Sequence, residues 1–183
     1  PNSSSVLANP STNQGTLGLS ANSVRFGKNA FSVAGLSLLN IEAAKGSSAV
    51  SSGSFATTGG LRLATPAFTA SAAVTHSLSA TGAFELADLT GTSSFTPGLG
   101  ANIDLTGSSV TIASDILLPS GSLEARAKSG SLAVSGSIST AGTSKAFFDQ
   151  TRYTDGGDIV LGATVGVTLS PGSLVSVAAS NGG

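Results

Sequence analysis

The 183-residue chain holds 8 Phe and 1 Tyr and has no Trp, Met or Cys, so bulky side chains cannot fill a conventional globular interior. Gly, Ser, Thr and Ala make up more than half of it and charged residues only 9%, which excludes both a highly charged disordered chain and a typical cytosolic enzyme. A formal net charge of -1, without a Lys/Arg cluster, leaves no electrostatic footprint for nucleic acid or an anionic membrane surface.

Helical periodicity is nearly absent, because Gly, Ser or Thr interrupts every window in which apolar residues could recur at i, i+3, i+4 and i+7. Alternation with period two dominates. In chain order it marks short strands at Leu17–Leu19, Val24–Phe26, Leu61–Leu63, Phe84–Leu86, Ile103–Leu105, Val110–Ile112, Leu132–Val134, Ile159–Leu161 and Val167–Leu169. In the N-terminal half the expected recurrences are Leu17/Leu19 on Leu36/Leu38, Leu61/Leu63 on Phe84/Leu86, and Phe84/Leu86 on Ile103/Leu105.

The C-terminal half shows a fixed period. Val110/Ile112, Ile116/Leu118 and Leu123/Ala125 are three short strands separated by small polar residues. A step of 22 residues takes Val110 to Leu132, Ile112 to Val134 and Ile116 to Ile138. The third strand of that coil, Ile159/Leu161, arrives about 14 residues late, which predicts a loop inserted at about 142–156. A further coil opens at Val167/Leu169 and continues from Leu174 to Val177.

The pattern predicts an all-β fold, a right-handed parallel β-helix (β-solenoid) with three short strands per coil of about 20–22 residues, spanning 1–183 as a single segment. Roughly eight coils at about 4.8 Å per stacked strand give a rod roughly 40 Å long. The uncharged run from Ile159 to Gly183 is broken by Gly162, Gly166, Pro171 and Gly172, and so is not a membrane helix. An outer-membrane barrel would need aromatic girdles that a single Tyr and no Trp cannot supply. The sequence starts at Pro1 without a charged-then-apolar leader and ends on Asn181, Gly182 and Gly183, and is read as a segment of a longer protein. The absence of Cys suits a chain that crosses membranes unfolded.

The stretch from Gly130 to Gly183, with Gly130-Ser131-Leu132-Ala133-Val134-Ser135-Gly136, the segment from Ala146 to Tyr153, Gly156-Gly157-Asp158-Ile159-Val160-Leu161 and Gly166-Val167-Thr168-Leu169-Ser170-Pro171-Gly172-Ser173, resembles the large filamentous-haemagglutinin-like exoproteins of Gram-negative bacteria. The resemblance covers about the last 80 residues and is diffuse before them. It implies two-partner secretion, a location outside the cell or on the bacterial outer surface, and a part in adhesion, aggregation or delivery of a terminal toxin.

Aromatic and charged residues crowd together only in the inserted loop, where Lys145, Phe147, Phe148, Asp149, Arg152, Tyr153, Asp155 and Asp158 lie. Phe147, Phe148, Asp149, Arg152 and Tyr153 form the candidate binding loop, since Tyr and Arg on a rigid scaffold are favoured contact residues. The competing reading folds Phe147 and Phe148 back over a coil face and pairs Arg152 with Asp149 or Asp155. The sole histidine, His76, is expected to be a polar strand residue, because one His can build neither a multi-histidine metal site nor a triad with a second. Asp149, Asp155 and Asp158 match no calcium-loop spacing.

The expected protein is therefore a non-catalytic structural and adhesive segment of a secreted surface fibre. It has no cofactor or metal, and its partner is a surface receptor or glycan. Two alternatives stand beside it. One is a filament module that self-associates through its coil ends; the other is a polysaccharide-acting enzyme, which would need acidic residues converging in one groove.

Overall fold

A computed structural model describes residues 15–180. Each short alternating run forms one side of a three-sided coil, and the chain winds through the same three sides repeatedly. The first coil is β1 (Gly15–Ala21), β2 (Val24–Phe26) and β3 (Asn29–Val33); the second is β4 (Leu36–Ala43), β5 (Ser47–Ala49) and β6 (Gly53–Thr57); the third is β7 (Gly60–Thr65), β8 (Ala67–Ala70) and β9 (Thr75–Ala80). The fourth contributes only β10 (Phe84–Asp88) and β11 (Asn102–Gly107). The fifth is β12 (Val110–Ile112), β13 (Asp115–Leu117) and β14 (Ser122–Ala127). The sixth holds β15 (Ser131–Val134) and β16 (Ser137–Ser139), then a hairpin of β17 (Ser144–Phe147) and β18 (Gln150–Tyr153), then β19 (Asp158–Ala163); β20 (Gly166–Leu169) and β21 (Leu174–Ser176) begin a seventh.

Three parallel sheets result. The first sheet runs β1-β4-β7-β10-β12-β15-β20, the second β2-β5-β8-β13-β16-β21, and the third β3-β6-β9-β11-β14-β19. The chain is thus all-β, a parallel β-solenoid with three strands per coil, and no described residue is helical. Among the described residues, five coils have all three sides. The expectation of roughly eight coils is too high, because two inserts lie outside the winding: the hairpin, and the strandless stretch 89–101. The seven-strand first sheet spans about 29 Å at about 4.8 Å per step.

The stacking of side chains holds the coils together. On the first sheet Leu39, Leu61, Leu63, Phe84, Leu86, Val110, Ile112, Leu132 and Val134 point inward and are essentially sealed from solvent. Phe68, Ile116 and Ile138 form the column of the second sheet, and Leu78, Leu105, Leu123 and Ala125 belong to the third. Each inward residue therefore lies over a counterpart one coil away, so burial and ladder hydrogen bonding reinforce the same register.

The 22-residue register predicted for the C-terminal half holds. Val110 pairs with Leu132, Ile112 with Val134, Ile116 with Ile138, and Leu123/Ala125 with Ile159/Leu161 across the insert. Leu61/Leu63 pair with Phe84/Leu86 as expected. The other two N-terminal expectations are corrected. Leu17 and Leu19 pair with Leu39 and Ile41, not Leu36 and Leu38, because β4 carries an extra residue opposite the Gly15/Thr16 step and has leucines on both faces. Phe84 and Leu86 stack on Val110 and Ile112, while Ile103 and Leu105 belong to the third sheet.

At the fourth coil the second sheet has no strand, and β8 pairs directly with β13. The displaced chain, 89–101, runs back towards the first coils as a strap. Leu89 N donates to Thr65 O, Ser94 N to Lys45 O, and Gly98 N to Ala70 O, and the Arg25 guanidinium lies 5.4 Å from the centre of the Phe95 ring. The strap explains why β5 and β8 are buried on both faces, unlike half-solvated strands such as β11 and β14. Gly46 makes room for it: its φ is +101°, and a Cβ there would strike Ser93 Oγ.

If the inward column carries stability, Phe68→Ala should cost about 3–5 kcal/mol. Replacing residues 143–154 by a short Gly-Ser link should leave the urea midpoint nearly unchanged. Equal losses in the two variants would show the hairpin to be part of the folding unit.

Candidate functional site

The inserted loop is an antiparallel hairpin standing off the winding. Ser144 pairs with Tyr153, Lys145 with Arg152, Ala146 with Thr151, and Phe147 with Gln150. Its base is tied to the coil corner by hydroxyls. Thr143 N donates to Thr154 Oγ1 (2.8 Å), and Ser120 Oγ lies 2.7 Å from Thr154 Oγ1 and 2.8 Å from Asp155 O. The chain re-enters the third sheet at Gly157, whose missing side chain lets it pass against the Gly121 carbonyl; any Cβ would overlap that oxygen.

The hairpin tip is Phe148-Asp149. Phe148 has a φ of +53° and a side chain fully in solvent. It does not fold back over a coil face, so the packing alternative fails for this residue. Arg152 Nη2 donates to Gln150 Oε1 (3.4 Å) and pairs with neither Asp149 nor Asp155. Tyr153 is half exposed, at 50%. Phe148, Asp149, Arg152 and Tyr153 therefore share one projecting element, with Phe147 on the strand opposite Gln150. Asp158 lies apart from them, back in the third sheet opposite Ser122.

His76 is on a strand, as expected, and points inward with 2% exposure, against the Phe26 ring at 5.9 Å. Its Nδ1 is 3.0 Å from Ser51 O, and a carbonyl can only accept, so Nδ1 is the donor. Nε2 is buried without a partner. The ring lines a cavity of about 590 Å³ beside the first coil, together with Leu19, Phe26, Phe31, Ile41 and Phe55.

The nine carboxylates are dispersed. Glu42 and Glu85 are on the first sheet, with Asp88 closing β10; Asp115 is on the second; Asp104, Glu124 and Asp158 are on the third; Asp149 and Asp155 belong to the insert. Glu85 pairs with Arg62 at 3.4 Å, and Arg62 also donates to Asn40 Oδ1, forming a polar ladder across three coils. Asp115 Oδ1 accepts from Ser137 N (3.2 Å).

Only Asp104 and Glu124 are ladder neighbours. Glu124 is engaged by Arg126, and the pair lines neither the cavity beside the first coil nor the hydroxyl-rich groove at the corner of Thr57, Thr81, Ser108 and Lys128. Among the described residues no three His, Cys, Asp or Glu side chains form a metal-binding group, and no helix is long and apolar enough to cross a membrane. No family model matches the chain, nor does any curated protein or solved structure.

The sequence reading missed the strap and the cavity beside the first coil. The strap had one legible sign, a stretch from Thr90 to Gly100 without apolar alternation. Asp104 supplies a test of the electrostatics. Its carboxyl is held above the ordinary carboxylate range, first by burial, then by Glu124, with Arg126 opposing. Its proton is bound more tightly in the folded chain, so its contribution to stability is full at low pH and is lost as pH rises through the raised value. Asp104→Asn should raise the melting temperature by about 1 °C near neutral pH and leave it unchanged near pH 3, below the ordinary carboxylate range. A shift of equal size at both pH values would assign the effect to packing instead.

Proposed function

We propose that the chain is a non-catalytic structural and adhesive segment of a secreted bacterial surface fibre. The coils supply length and the hairpin supplies the contact surface. The observation that carries this reading is Phe148. A bulky aromatic in the left-handed region costs on the order of 1 kcal/mol, and leaving it in water forgoes its burial. Neither cost helps the fold, and glycine would remove both. An aromatic presented at a tip held by a hydroxyl-pinned base, with Tyr153 and Arg152 beside it, has the chemistry of a contact patch for a glycan or receptor.

The dispersed carboxylates support a scaffold over an enzyme, since glycan hydrolysis needs two of them across a cleft. The resemblance of the C-terminal coils to filamentous-haemagglutinin-like exoproteins supports secretion and surface display.

The test uses labelled protein on an array of surface glycans and on whole cells. Wild type is expected to bind, and Phe148→Ser with Tyr153→Ser to bind at least tenfold more weakly, with an unchanged melting temperature. Binding retained by the double variant overturns the hairpin as the contact surface. Polysaccharide turnover abolished by Glu124→Gln overturns the non-catalytic reading.

A further inference from the structure

The hairpin sets like charges against each other. Lys145 lies directly across from Arg152, so the two side chains leave the same face of a two-stranded ribbon. On the shaft the register does the opposite: Arg62 lies across from Glu85 and pairs with it at 3.4 Å. Opposed like charges weaken a sheet, and a ribbon of two strands has little stability to lose. The insert contains two carboxylates, yet Asp149 is at the tip and Asp155 at the base, and Arg152 donates instead to the neutral Gln150 Oε1. The cation pair therefore does not serve the fold.

Register also defines the face on which the pair lies. Gln150 shares it, two residues from Arg152 on the same strand, whereas Tyr153 and Ser144, with Thr151 and Ala146, occupy the other face. Phe148 adds an exposed ring beyond them at the turn. The Arg152 guanidinium gives one of its five N–H groups to Gln150 Oε1. A guanidinium is a planar fork that matches the two oxygens of a carboxylate, and a lysine beside it adds a point charge. The insert as a whole is neutral, with two cations against two carboxylates. That balance suits a ligand with a single charge among neutral hydroxyls and disfavours a polyanion, whose further charges would meet Asp149 and Asp155.

We infer that this face selects glycans bearing a carboxylated sugar. Arg152 holds the carboxylate in a bidentate pair, Lys145 neutralises it from the opposite strand, and Phe148 packs against the apolar side of the ring. The inference names the ligand class of the hairpin and rests on the hairpin being the contact surface.

An array of oligosaccharides ending in a uronic or sialic acid, with their carboxyl-reduced and sulfated counterparts, tests it on the full 183-residue chain. Wild type should bind the carboxylated probes about tenfold more tightly than the reduced ones, and the preference should shrink as salt rises. Arg152→Gln should abolish the preference while leaving binding to the reduced probes unchanged. Arg152→Lys keeps the charge without the fork and should retain only part of it. Tyr153→Ser, on the other face, should weaken both probe sets alike. Arg152→Gln should also melt no lower than wild type, since it removes an opposed like charge; a lower melting temperature would make the pair structural and overturn the inference. Equal binding of carboxylated and reduced probes, or tighter binding of sulfated ones, overturns it too, and leaves the hairpin as the contact surface if Phe148→Ser with Tyr153→Ser still weakens that binding. If no probe binds, the hairpin reading falls and the inference with it.

Discussion

Everything in this molecule depends on one strand lying parallel to its own counterpart a coil away. That arrangement satisfies the backbone on both sides of each internal strand and places each inward aliphatic over another. It also lets a chain without Trp, Met or Cys build a sealed interior, because the core is a column one or two side chains wide. Depth is replaced by repetition. Leu, Ile and Val suffice where a globular protein of the same length would need large aromatics, and Phe68, Phe84 and Phe55 serve as fillers at single levels of the stack.

The repeat tolerates insertion, and the two inserts show different solutions. The hairpin leaves and re-enters at glycines, pairs with itself, and disturbs no ladder: β14 and β19 remain partners across it. The strap removes a strand and then covers the outside of the sheet it has shortened, bonding to Lys45 O and Ala70 O. The first insert exposes side chains to solvent. The second buries both faces of β5 and β8 and leaves Thr69 Oγ1 without a partner.

Legibility in the sequence followed the same division. Where coils repeat without bulges, as from Val110 to Ile138, alternation alone gave the correct partners, because one face is apolar and the other polar. Where a strand is apolar on both faces, as at Leu36, Leu38 and Leu39, alternation is ambiguous and the register slipped. The fourth coil was misread for another reason. Equal spacing along the chain does not reveal which of three sheets a strand joins, and Ile103 fell in a different sheet from Phe84. The hairpin was visible as a delay in the period, although the direction of Phe148 was not. His76 looked polar by residue type, yet its Nδ1 donates to Ser51 O and its ring serves as one more inward plate beside Phe26.

The absent strand in the fourth coil has a mechanical meaning. Between β7 and β12 the first sheet makes two steps, through β10, whereas the second sheet makes one, from β8 to β13. In a crystal this would be an edge dislocation, an extra half-layer that ends inside the stack. The surplus of about 4.8 Å on one side of a section about 10 Å wide has to be absorbed as tilt, on the order of 25° if taken up at a single level. Coils above and below that level then cannot share one straight axis. The direction of that bend is fixed by the face on which the strand is missing.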